Sequence, residues 1–347
     1  MAIQRVNLVM FNPNAYGGTV TYTAHLYHAL TEVGCICTIY RLGGSSTHVS
    51  SRKPFGYGCE QISCGLNHLN RILSKGITLI TACIGKEYEE PTLDLFNRGA
   101  FLTIHDPNDL GNFVDRSFIT SDRIIIIRPN NTAICRNATF IPHPFKRINE
   151  GLTFSHPRPK HAVTLSRLGA IKRTKWVVEA NRELPQDKQI WLRGYDDRFF
   201  TYNMFVRTGK YPEFKQDSDL PPEEKKTFAK ELGEAQRIAS QATYLVDLTE
   251  IKGDGGGTQY AFFEGMDAGC VMVLNSAWTD RPGSIWKPGR NCLSASSKDD
   301  LVKVLSESRK KSELKYLVEE SHLLFEGHDL KTVGRQYLDF FKEHPFK

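Results

Sequence analysis

The sequence has no C-x-x-C pair; its eight cysteines stand at 35, 37, 59, 64, 83, 135, 270 and 292. That spacing sets aside the strong zinc and dithiol-redox signatures and leaves free thiols of a reducing compartment. No run approaches the ~18 apolar residues of a membrane span. The opening MAIQRVNLVMFN has a short apolar stretch broken by Asn7, without the longer apolar core and cleavage site of a secretory signal. A cytoplasmic protein is therefore expected, and the sequons at Asn130 and Asn137 carry no weight. Neither half holds G-x-G-x-x-G, which counts against a nicotinamide dehydrogenase. Solenoid-type repeats are missing as well.

What is present is a chain of 347 residues, long enough for two domains, with 40% hydrophobic and 24% charged residues. The net charge of +6 is unevenly placed. Between Glu32 and Glu60 there is no acid, while Arg41, Arg52 and Lys53 sit among Gly and Ser. From Arg116 to Arg147 the cations Arg116, Arg123, Arg128, Arg136, Lys146 and Arg147 face a single Asp122. Such tracts attract phosphate-rich partners. A solvated surface balanced elsewhere in the fold is the plainer alternative.

The hydrophobic pattern alternates short β-rich runs with helical stretches. RVNLVMF (5–11), CICTIYR, ITLITAC, AFLTIHD and RIIIIRP read as buried parallel strands, and 19–34 as a helix ending at Gly34. IPHPF (141–145) stops the pattern. A second alternation follows, with strands at 161–168, 188–194, 243–249 and 270–275. Its helices are expected at 172–184, from Pro221 to Ser240, and at 257–269. Repeated βαβ units in both halves predict an α/β protein of two doubly wound, Rossmann-like domains. Residues 1–145 form the first, 146–160 a linker and 161–325 the second; 326–347 is an amphipathic helix crossing back to the first.

Four segments can carry chemistry. GDGGGTQYAFFEGMDAG puts Gly255, Gly256 and Gly257 before Thr258 and a helix, where close backbone approach and unpaired N–H groups suit a diphosphate. Glu264, two turns in, can accept both hydroxyls of a ribose; the alternative is a plain loop with a surface glutamate. SRLGAIKRTK places Arg167 and Lys172 at a strand's carboxyl edge, where open α/β sheets bind ligands and two cations offset a departing diphosphate. Gly17 and Gly18 occupy the turn after the first strand, with Thr19 opening the helix, and let the backbone reach a sugar or phosphate. His105 and Asp106 lie just past another strand and can orient a hydroxyl, or form an ordinary turn with an Asp cap.

Taken in order, these blocks resemble the retaining GT-B glycosyltransferases that include glycogen and sucrose synthase relatives. The match runs through GG after the first strand, HD in mid-domain, SRL-x-x-x-K, and FFEGMDAG-x-V-M-V, over nearly the whole chain. The resemblance implies two Rossmann-like domains facing a cleft, with Arg167 and Lys172 on the donor diphosphate and Glu264 on the ribose. It also implies Gly18 behind the phosphates and His105 against the donor sugar. One position departs: the family's second glutamate, eight residues before Glu264, is Gly256 here, with Asp254 and Glu250 the nearby carboxylates. LSRLGAIKRTKWVVEAN, RGYDDRFF, QYAFFEGMDAGCVMVL and HDPNDLGNF are similar, more narrowly, to phage α-glucosyltransferases acting on hydroxymethylcytosine in DNA.

The expected function is transfer of a sugar, hexosyl or pentosyl, from a UDP-sugar with retention. The base would be recognised near Gly194 and Tyr195, and no metal is required where fixed cations serve. DNA is the favoured acceptor, with a glycan, lipid or protein as the alternative. A non-catalytic nucleic-acid-binding protein on a degenerate form of the same fold is the reading of a different class.

Overall fold

The computed structural model describes residues 4–11, 17–43, 51–83, 85–149, 154–165, 172–193, 231–249 and 259–344. Two compact units divide the chain, residues 1–146 with 326–347 and residues 147–251 with 258–325.

The first unit is built on a sheet with the order β3-β4-β2-β1-β5-β6-β7-β8. Its strands are β1 (Arg5–Phe11), β2 (Ile36–Leu42), β3 (Ser51–Gly56), β4 (Cys59–Cys64), β5 (Ile77–Ala82), β6 (Phe101–Ile104), β7 (Ile124–Ile126) and β8 (Thr139–Phe140). All neighbours pair in parallel except β3, which is antiparallel to β4. Val6 to Phe11 are buried on both faces, which is why β1 reads as a nearly continuous apolar run. The β3–β4 hairpin is not anticipated by the sequence pattern. Its turn, Tyr57–Gly58, has φ of 55° and 75°, the two positive values of a type I′ turn, without the usual Asn-Gly. Pro54 is tolerated because β3 is an edge strand that needs no further N–H donor.

Helix α1 (Gly18–Glu32) follows β1 and ends at Gly34, where Gly34 N–H donates to Thr31 O and Cys35 N–H to Leu30 O, a Schellman closure. Helices α2 (Leu69–Leu73) and α3 (Glu89–Asn97) cover the sheet further along. The terminal helix Leu330–Glu343 packs against α1 in this same unit, capped by Asp329, whose side chain accepts from Thr332 N–H. Its Phe340 and Phe341 rings lie 5.2 and 5.0 Å from Phe101. The two helices meet so closely at Gly334 that a Cβ there would stand 2.4 Å from Ala29 O.

The second unit has the order β10-β9-β11-β12-β13, all parallel. Its strands are β9 (Lys160–Thr164), β10 (Ile190–Leu192), β11 (Ala242–Asp247), β12 (Val271–Asn275) and β13 (Leu293–Ala295). Its first helices are α4 (Thr174–Glu183), α5 (Glu234–Ala239) and α6 (Tyr260–Asp267). A single helix reaching Ser240 is corrected here: residues 231–233 precede α5 as a turn, because Gly233 takes φ 87°. Helix α4 starts at Thr174, two residues later than the pattern suggests, because Arg173 is left-handed at φ 52°. Among the described residues no helix is long and apolar enough to cross a membrane. All eight cysteines are free.

Candidate active site

In the second unit polar groups collect where the parallel strands end. β11 is wholly buried and finishes on Asp247, which is 1% exposed. The following turn is tied down by its own polar atoms: Thr249 N–H donates to Asp247 Oδ1 at 2.9 Å, and the Thr249 hydroxyl bonds the same oxygen. Two side chains from the next βα segment hold that turn, Asn275 Nδ2 donating to Leu248 O and Trp278 Nε1 to Thr249 O. Lys172 reaches it from the approach to α4. Its ammonium donates to Thr249 Oγ1 at 2.6 Å and Gln259 Oε1 at 3.0 Å, and pairs with Asp247 Oδ2 at 3.5 Å. Gln259 is the residue immediately before α6, so a cation is fixed beside the N-terminal end of that helix, where backbone N–H groups and the helix dipole also favour negative charge.

Glu264 lies on α6 and is 9% exposed. Its side chain makes no hydrogen bond to any described residue, and burial alone pushes its carboxyl up to about 8. A buried carboxylate without a protein donor is costly. An outside partner carrying two hydroxyls would relieve that cost. Gly265 faces the other way, into Leu245 and Met272 of the sheet, and so anchors the helix that presents Glu264.

In the first unit His105 follows β6 and is 8% exposed. Its Nε2 donates to Thr81 O of β5 at 2.6 Å, which leaves Nδ1 as the ring's acceptor. Burial lowers its pKa to about 4, so the imidazole is neutral near pH 7. Tyr22 of α1 stands edge-on to the ring at 4.7 Å, and Asn131 Nδ2 donates to His105 O. The loop beyond is shaped by Asp109, whose Oδ2 accepts from His105 N–H at 2.7 Å and Asp106 N–H at 3.3 Å. Burial, with the neighbouring Asp106 adding to it, raises Asp109 to about 7. Arg128, just past β7, faces both acids; burial lowers its pKa while Asp106 and Asp109 hold it up. Gly17 precedes α1 at φ 74°, and no described residue has an atom within 4 Å of a Cβ added at Gly17 or Gly18, which leaves room among the described residues for close approach to the backbone.

Of the residues singled out from the sequence, Lys172 and Glu264 are thus described in one unit and His105, Asp106, Gly17 and Gly18 in the other. Arg167, Gly194, Tyr195, Gly256, Gly257 and Thr258 lie outside the described residues. Asp247, Thr249 and Gln259 were not anticipated, although Asp247 and Thr249 are the polar residues that close an apolar strand. Three half-buried cations of the second basic tract are engaged within the protein, while Arg116 and Arg136 are exposed. Arg123 lies over the Phe96 ring at 4.3 Å and donates to Phe96 O and Ala100 O. Arg147 pairs with Asp267 at 3.2 Å, and Arg128 serves the acids above.

No protein-family model and no curated protein matches the sequence. Solved structures do. An α-glucosyltransferase in complex with UDP and a 13-mer DNA containing an HMU base aligns with TM-score 0.66 at 12% identity, covering 98% of this chain and 100% of that one. Anabaena HepE in complex with UDP-glucose aligns with TM-score 0.60 at 9% identity, covering 97% and 99%. The pneumococcal O-GlcNAc transferase GtfA in complex with UDP and GlcNAc aligns with TM-score 0.58 at 11% identity, covering 99% of both. With a parallel-dominated, helix-covered sheet in each half and alignment over nearly its whole length, the chain has the GT-B glycosyltransferase fold.

Proposed function

We propose that the protein is a retaining glycosyltransferase that moves a sugar from a UDP-sugar to the hydroxyl of a hydroxymethylated base in DNA. The observation that carries the donor half is Glu264, a buried carboxyl with no hydrogen-bond partner among the described residues, on the helix whose start holds the Lys172 ammonium. In this reading Glu264 accepts the two ribose hydroxyls. The diphosphate takes Lys172, Arg167 and the backbone about Gly256, Gly257 and Thr258, with Gly17 and Gly18 giving it room. Gly194 and Tyr195 meet the base of the nucleotide. His105, neutral and with Nδ1 as acceptor, takes a hydroxyl of the transferred sugar, and Asp106 helps to orient it.

The reaction breaks the bond from the anomeric carbon to the diphosphate, which leaves with the electron pair. The acceptor oxygen bonds the same face of that carbon and gives its proton to a donor phosphate oxygen. Among the described residues no carboxylate pair forms a double-displacement set, so this front-face course is the economical one. Negative charge grows on the leaving diphosphate, where fixed cations and helix N–H groups act most strongly, and the proposal requires no metal. A base within a duplex must be flipped out to react.

Support for the donor and the acceptor comes from the aligned structures, which hold UDP or UDP-glucose and, in one group, DNA. The test is to incubate the protein with a panel of UDP-sugars and hydroxymethylated DNA and weigh the products. A mass increase of one sugar per modified base is expected. Transfer only to a glycan, lipid or protein would overturn the acceptor, and no turnover of any UDP-sugar would overturn the whole reading.

A further inference from the structure

The acceptor proposed above is a polyanion, and Arg123, Arg128 and Arg147 of the second basic tract already engage other groups of the protein. A different feature of the first unit remains. Between β2, β4 and α2 lies a cavity of about 80 Å³ whose lining includes Tyr40, Ile62, His68, Arg71 and Lys75. Its size suits a group of a few heavy atoms and is well below the ~300 Å³ at which drug-sized pockets begin. Two cations and an imidazole surround it, and no carboxylate lines it. Arg71 and Lys75 are exposed and form no ion pair with any described residue.

Tyr40 is the second observation. It is 6% exposed, it lines the cavity, and its hydroxyl hydrogen-bonds to no described residue. Its ring is packed in the core while its hydroxyl stays accessible, so it can donate to a group that enters the cavity. Sheet register adds a further cation. Arg52 of β3 pairs with Ile62 of β4, and Ile62 pairs with Tyr40 of β2, so the three side chains share one face of the sheet. Arg52's own partner, Glu60 at 3.8 Å, holds it weakly because both side chains are solvent-exposed.

The geometry points to a docking site for one backbone phosphate of the nucleic-acid acceptor, with Arg71 and Lys75 pairing its charge and the Tyr40 hydroxyl donating to a phosphate oxygen. This rests on the DNA reading above. Strand β2 stands three strand spacings from β6, which leads into His105, about 14 Å across the sheet, or the axial rise of about four base pairs. The site therefore positions the duplex a few steps from the reacting base and reads no sequence.

The experiment measures affinity for a hydroxymethylated duplex over a series of salt concentrations. Each variant's melting temperature is checked against wild type for folding, which substitutions at exposed Arg71 and Lys75 should leave close. Replacing both, Arg71→Gln with Lys75→Gln, should weaken binding about ten-fold or more and flatten the slope of log K against log salt by about two. Arg71→Gln alone should flatten it by about one. Tyr40→Phe, which keeps the ring in the core, should weaken binding about ten-fold with the slope unchanged, since a hydrogen bond and no charge is lost. A double variant that binds with wild-type affinity and slope, while wild type still modifies DNA, overturns the cavity's role and leaves the acceptor reading standing. If wild type turns over UDP-sugar but neither binds nor modifies the duplex, the acceptor reading falls and this inference falls with it.

Discussion

At the scale of single residues, the proposed donor site turns on one acid with no hydrogen bond to any described residue and one cation that has several. Glu264 is held up to about 8 by burial, so its ionisation is opposed in the unliganded protein. Ribose hydroxyls donating to the carboxylate would favour the ionised form. Uridine, which carries those hydroxyls and no phosphate, should then raise the melting temperature more at pH 8 than at pH 6, and the pH dependence should vanish in Glu264→Gln. A shift that is flat with pH in wild type would detach Glu264 from the ribose. Lys172 poses a different problem, because its removal strips the cation from Asp247, which is 1% exposed. Lys172→Ala alone should lower stability by several kcal/mol as well as turnover. Adding Asp247→Asn should restore the melting temperature while kcat stays about 100-fold down, the scale of one lost transition-state charge contact. Recovery of kcat together with stability would mean that Lys172 is a structural ion-pair partner and nothing more.

At the scale of elements, helix packing gives a sharper test than propensity does. The Cβ of Gly334→Ala would lie 2.4 Å from Ala29 O, a backbone atom that cannot rotate aside, so α1 and the terminal helix must separate. A loss of about 1–3 kcal/mol is expected, read as a fall in the denaturation midpoint, against the slight gain that Gly→Ala brings inside an uncrowded helix. The longer buried parallel strands were legible in the sequence because burial on both faces leaves runs such as RIIIIRP with no polar alternation to misread, whereas the short β8 and β13 were not read. The β3–β4 hairpin was hidden for the opposite reason. Arg52, Lys53 and Pro54 carry no strand pattern, and the turn is made by Tyr57 in a backbone conformation that few non-glycine residues adopt. Lys172 and Glu264 stood out as charges near glycine-marked strand-to-helix turns. Asp247, Thr249 and Gln259 did not, because their meeting depends on β9 and β11 being neighbours, and that adjacency is written in the sheet order rather than in any local spacing.

At the scale of the whole molecule, two sets of buried groups pull stability in opposite directions with pH. His25, His105 and His143 sit in the first unit and are kept neutral, chiefly by burial, with His25 lowered to about 3 and His105 to about 4. Unfolding lets each take up a proton below about pH 6.5, so their contribution is complete above that value and is lost as pH falls through the folded values. Glu264 acts the other way. Its folded value is raised, so its contribution is present below the ordinary glutamate range and is lost as pH rises toward 8. The two windows overlap between about pH 4.5 and 6.5, where the folded chain holds a proton on Glu264 that the unfolded chain lacks, and lacks one on His105 that the unfolded chain holds. Each such difference is worth about 1.4 kcal/mol per pH unit. Urea unfolding across this window should therefore give Glu264→Gln a stability that climbs with pH more steeply than wild type by up to that amount. His105→Gln should climb less steeply by a similar amount. Both slopes moving in the same direction would show that at least one of these groups does not keep its unusual protonation state in the folded protein, and the neutral imidazole assigned to sugar contact would be the first assignment to abandon.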